Sequence, residues 1–267
     1  MNTPYCIKVE HPEKFRQGII PYALSEDIAP DEVDLSSFKI QKELNPMFWK
    51  NGKLDTRIRL KLLDIADDFI VSCDDVKRST IVDIVMTGSL CNYNWSEEFS
   101  DIDLHIIVSG EFPQAKENAR KWNDKHKNIR ICGFPVELYV QNENEKHFAH
   151  GVFSLDTNEW LKVPDRKKMI AHGIDSKTVK NDVARYVNAI DKTERIADKG
   201  DEYNERRAER RAENIFKDIK AMRKQGFETD PDELNTQNIV FKKLRRDGYI
   251  GKIVSIKDKA YDALHSI

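Results

Sequence analysis

A chain of 267 residues with 44 Lys and Arg against 46 Asp and Glu has a net charge of −2, which excludes a protein held to nucleic acid by bulk positive charge. The 39% hydrophobic content is too large and too periodic for wholesale disorder, although 34% of residues are charged. No apolar run approaches the ~18 residues of a membrane span. The cysteines at 6, 73, 91 and 132 form no CxxC, so a zinc-knuckle pattern is absent and a reducing, cytoplasmic compartment is expected. The first residues lack the apolar core of a signal peptide.

Residues 1–52 read as an irregular segment packed on the core that follows. Asn45-Pro46-Met47-Phe48-Trp49 is an aromatic knot, and Asn51-Gly52 a turn after it. Ile58, Leu62, Ile65, Ala66 and Phe69 recur at helical spacing and predict a helix over 54–72, with Asp55 as its N-cap. The acids Asp67, Asp68, Asp74 and Asp75 read as a solvated face and exit loop. Ile81 to Met86 is a β-branched strand that ends at Thr87-Gly88-Ser89. Further strands are expected at 102–108 and 136–140, a helix at 113–126, and a hairpin from 151–155 and 160–163. The 54–165 stretch is therefore α+β with a mixed sheet.

From 175 the period changes to helical. Val179, Val183, Tyr186, Val187 and Ile190 form one stripe, and Ala208 to Met222 a second that is expected to end at Gly226. Asp230-Pro231-Asp232-Glu233 reads as the start of a third helix, running to Arg246, and a fourth covers 252–265. Arg206, Arg207, Arg210 and Arg211 interleave with Glu205 and Glu209, and read as an ion-paired helix face. The alternative is a grip on an acceptor's phosphates.

The chemistry is concentrated in 87–105. Gly88 lets a ligand approach the backbone, and Ser89 with the turn's N–H groups suits phosphate oxygens. Asp101 and Asp103 are two apart on a strand, so they share a face at roughly 7 Å between Cα atoms. Two such carboxylates suit a two-metal site for phosphoryl transfer. Glu137 is the lone acid in the apolar run Phe134 to Val140, and a lone acid there needs a partner or a metal. Tyr139 and Gln141 share its face. His105 lies on the face of Asp101 and Asp103 and reads as a hydrogen-bonded structural residue, Cys91 as a small buried one, and His147 and His150 as loop residues.

Gly88-Ser89, Asp101-Ile102-Asp103 and Glu137 together resemble the DNA polymerase beta nucleotidyltransferase superfamily over roughly 55–165. The layout, with Asn45-Pro46 to Trp49 at the front, is also similar to small relatives encoded by bacteria and their phages. The resemblance implies a nucleotidyltransferase-type sheet with flanking helices over 53–170 and an all-helical domain over 171–267. It implies transfer of a nucleoside monophosphate from an NTP, ATP included, to a hydroxyl of RNA, a small nucleotide or a protein. Asp101 and Asp103 would hold two Mg²⁺ ions, with Mn²⁺ as the alternative. Glu137 would bind the metal on the acceptor side, and Gly88 and Ser89 would contact the nucleotide's phosphates. The chain departs from many relatives in having Asn92, Asn94 and Trp95 where a second glycine often follows. Two other readings use the same residues: a catalytically silent copy of the fold acting as an antitoxin-like binding protein, and a helical RNA-binding protein.

Overall fold

The computed structural model describes residues 27–73, 76–146 and 148–266. The expectations for Asp74, Asp75, His147 and residues 1–26 lie outside these. The described residues fall in two compact units, one within 37–171 and one of 27–36 with 172–266.

The first unit is α+β. It opens with a hairpin of β1 (Trp49–Lys50) and β2 (Lys53–Leu54). Asn51 and Gly52 both have positive φ, 52° and 73°, as a tight two-residue hairpin turn requires. Helix α1 (Thr56–Ser72) follows, with the Asp55 side chain accepting from the Arg57 N–H at its start. Next come β3 (Ile81–Thr87), β4 (Ile102–Val108), α2 (Pro113–Lys125), β5 (Arg130–Ile131), β6 (Phe134–Asn142), β7 (Val152–Ser154), β8 (Glu159–Lys162) and α3 (Arg166–His172). The six-stranded sheet has the order β5-β6-β4-β3-β7-β8. Only β4 and β6 are parallel, because α2 carries the chain back between them. Strand β5 and helix α3 are too short to leave a period in the sequence.

Ile102, Leu104 and Ile106 on β4 and Leu138 on β6 are fully buried with Leu62, Ala66 and Phe69 of α1 and Ala115 and Ala119 of α2. Period two then turns Asp103, His105, Glu137, Tyr139 and Gln141 to the opposite face. The aromatic knot packs as expected: Phe48 meets Phe134 edge-on at 5.5 Å, and Trp49 stacks on Trp160 at 4.4 Å. Trp49 Nε1 donates to the Leu90 carbonyl at 2.7 Å, just past the Gly88-Ser89 turn. Trp122 of α2 meets Phe69 edge-on, and Trp95 Nε1 donates to the Glu43 carbonyl.

The second unit packs α4 (Ser176–Ala197), α5 (Glu202–Thr229), α6 (Thr236–Arg246) and α7 (Tyr249–His265) together. Residues 27–36 join it: Ile28 and the Asn188 carboxamide exchange two hydrogen bonds, of 2.8 and 3.0 Å. Two expectations are corrected. Gly226 does not end a helix but lies inside α5, where a Cβ would come within 2.6 Å of Gln237 Cβ and 2.8 Å of Asn235 Oδ1. The glycine serves close helix packing. Asp230 to Glu233 is a connection rather than a helix start; Asn235 caps α6, accepting from the Asn238 N–H at 2.8 Å. Lys252 of α7 sits between Asp191 and Glu194 of α4 at 2.7 and 2.6 Å. Arg206 pairs with Glu202 one turn away on an exposed face, as an ion-paired helix does. No described helix is long and apolar enough to cross a membrane.

Candidate metal centre

Three acids converge where β4 and β6 begin. Asp103 is the parallel neighbour of Glu137 in the ladder, and Asp101 lies one residue before β4, in the approach to the strand rather than in it. One carboxylate oxygen from each of Asp101, Asp103 and Glu137 lies within 4.8 Å of the others, and all three residues are half-buried. Charges this close repel one another, which a bound cation would relieve. An all-oxygen donor set suits a hard divalent cation.

Gly88 stands across from Asp103. Its φ is 75°, in the region that favours glycine. A Cβ there would fall 1.7 Å from Asp103 Oδ2. The volume that a side chain at 88 would fill is therefore taken by the Asp103 carboxylate, and glycine is what admits it. Ser89 opens a single 3₁₀ turn, and its hydroxyl lies 2.7 Å from that of Ser100. Ser100 in turn accepts from the Ser96 N–H at 2.9 Å, so the two ends of the 89–100 loop are tied together. The Asn92 carboxamide donates to the Gly88 carbonyl at 3.1 Å and accepts from the Asn94 N–H at 2.7 Å. The polar loop is thus held by its own asparagines. Cys91 is fully buried, as a small packing residue.

A row of side chains continues along the same face. The Tyr139 hydroxyl donates to Glu137 Oε2 at 2.5 Å. Its ring lies 4.8 Å from that of His105, its neighbour across the ladder. His105 Nδ1 is 2.7 Å from Gln141 Oε1, which gives the histidine the structural hydrogen bond expected of it. Burial of the Tyr139 hydroxyl, then the negative charge of Asp103 and Glu137 with the hydrogen bond to Glu137, push the phenol well above the ordinary tyrosine range. Tyr139 therefore stays a proton donor to Glu137 and fixes one of its two oxygens.

The structure thus brings one carboxylate oxygen from each of Asp101, Asp103 and Glu137 within 4.8 Å of the others and sets Gly88 against Asp103, with Ser89 next in the chain to Gly88. His150 is half-buried, in the turn before β7. Ser100 went unnoticed in the sequence because a single serine in a polar loop carries no period. Comparison of the chain with family models, with curated proteins and with solved structures gave no match.

Proposed function

We propose that this chain is a metal-dependent nucleotidyltransferase, moving a nucleoside monophosphate from an NTP to an acceptor hydroxyl with release of pyrophosphate. One observation carries the reading: three carboxylates on neighbouring strand ends offer oxygens within 4.8 Å of one another. Gly88-Ser89 at the end of the adjacent strand β3 supports it.

Asp101, Asp103 and Glu137 would hold Mg²⁺ or Mn²⁺, which when bound neutralises phosphate charge and acts as a Lewis acid. The residues themselves perform the remaining tasks. Ser89 donates to a phosphate oxygen. Glu137, with one oxygen occupied by Tyr139, receives the proton of the acceptor hydroxyl as that oxygen bonds to the α-phosphorus and pyrophosphate departs. The scaffold contributes positioning and charge compensation, which dominate phosphoryl transfer.

The test is incubation with each α-labelled NTP and Mg²⁺ or Mn²⁺, alone and with RNA. Label in RNA, in a small product or in the protein identifies the acceptor class. Asp103→Asn keeps the size and loses the charge, and is expected to lower the rate roughly a thousandfold. Transfer that is unchanged in Asp103→Asn overturns the reading.

A further inference from the structure

Strand β6 has an open edge. In a parallel ladder the N–H and C=O of one residue point to the same side, and alternate residues point to opposite sides. The groups of 136, 138, 140 and 142 face away from β4. Three of these positions are engaged. The Val136 N–H donates to the Ile129 carbonyl at 3.2 Å. The Asn142 N–H donates to Glu145 Oε1 at 3.1 Å. The Asn123 carboxamide of α2 takes both groups of Leu138, accepting from the N–H and donating to the carbonyl at 2.9 Å each. For Val140, among the described residues, no strand or side chain fills the equivalent place. Val140 is only 6% exposed, and buried main-chain groups are seldom left unpaired. It lines a cavity of about 250 Å³ together with Tyr139, His105, Gln141, Lys116 and Arg120.

We propose that this cavity is a nucleobase site, in which a base bonds through adjacent donor and acceptor atoms to the Val140 main chain. Asn123 shows what the edge accepts one repeat earlier: a planar group with an N–H₂ beside an oxygen acceptor. Adenine and cytosine offer an N–H₂ beside a ring nitrogen in the same arrangement. Only one residue of edge is open, between Leu138 and Asn142, so the site takes a single planar group and not an added peptide strand. The Tyr139 ring gives a face for stacking. Arg120 and Lys116 supply positive charge for an attached phosphate, with Lys116 already paired to Glu145 and Arg120 to Glu117. Tyr139 both lines the cavity and touches Glu137, so the cavity is one side chain away from the three acids. The base site stands on the cavity. Its use in transfer rests on the nucleotidyltransferase reading, for either the NTP or a nucleotide acceptor.

The experiment follows the ¹⁵N-labelled full chain by NMR, with EDTA present, during titration with adenosine, cytidine, AMP and ribose 5-phosphate. The Val140 amide is expected to shift with a nucleoside and with AMP, and not with ribose 5-phosphate. Arg120→Ala is expected to weaken AMP several-fold and leave adenosine unchanged. Val140→Pro removes the donor at an edge where proline is tolerated, and is expected to weaken adenosine at least tenfold by calorimetry. A Val140 amide unmoved by any nucleoside, or moved as much by ribose 5-phosphate, overturns the proposal. With activity established, Val140→Pro raises KM for the NTP if the donor's base occupies the site, and for the acceptor alone if the acceptor's does. Nucleoside binding by a chain without transferase activity sinks the transferase reading and keeps the base site. Activity without a Val140 response does the reverse.

Discussion

Gly88 and Asp103 compete for one volume, and the backbone resolves the contest by giving up a side chain at 88. Gly88→Ala adds a methyl 1.7 Å from a carboxylate oxygen at φ 75°. It is expected to cost about 3 kcal/mol by urea unfolding and to lower metal affinity by displacing Asp103. Asp103→Asn leaves the backbone alone and relieves repulsion among three acids, so its melting temperature should not fall below the wild type. Asp83 on β3 is a different case. Burial pushes its carboxyl above the ordinary range, Asp156 adds to this, and bonds from Ser154 and Ile84 only partly compensate. A carboxyl harder to ionise in the folded chain stabilises fully below its unfolded pKa, and that contribution is lost as pH rises through the folded one. Asp83→Asn keeps the oxygen that accepts from Ser154 and Ile84. It should therefore melt higher than wild type at neutral pH, with the difference vanishing by about pH 3.

Among the elements, those with strong periodicity were legible and those set by single contacts were not. Strand β4 occupies 102–108 as its alternation predicts, and α1 begins after Asp55 as the cap predicts. The pairing of Asp103 with Glu137 follows from β4 and β6 being neighbours, which the sequence suggested through the lone acid in an apolar strand. Asp101, Asp103 and Glu137 could be picked out in this way; the link from Glu137 through Tyr139 to His105 needed the strand register. Gly226 and Asp230 to Glu233 misled because glycine and Asp-Pro are local stop and start signals, whereas here α5 runs on and α6 packs against the glycine. Asn123 was the subtler miss, a polar residue four places after Ala119 on the buried stripe of α2. Its carboxamide completes the β6 edge at Leu138, so Asn123→Ala should cost about 1–3 kcal/mol in urea unfolding through two lost hydrogen bonds to a sheltered strand.

At the scale of the whole molecule, each unit has its own apolar interior. The two units divide between residues 171 and 172, and the sequence turns to a continuous helical period from 175. The inclusion of 27–36 with the helices was not legible there, because it depends on the Asn188 carboxamide meeting one main-chain residue. Lys252→Met leaves Asp191 and Glu194 facing one another and should destabilise the helical unit by about 1–2 kcal/mol, the modest size reflecting partial exposure. Far-UV circular dichroism, to which α4 to α7 contribute heavily, should register that loss. The tryptophans that stack, cap and pack around the sheet give the loss a control. Trp49, Trp95, Trp122 and Trp160 are all the tryptophans in the chain, and all lie within 37–171. Indole emission is consequently a private optical channel of the acid-bearing unit. In Lys252→Met its denaturation midpoint should stay in place while the ellipticity midpoint falls, and a chain engineered with one reporter tryptophan in α5 would open the second channel.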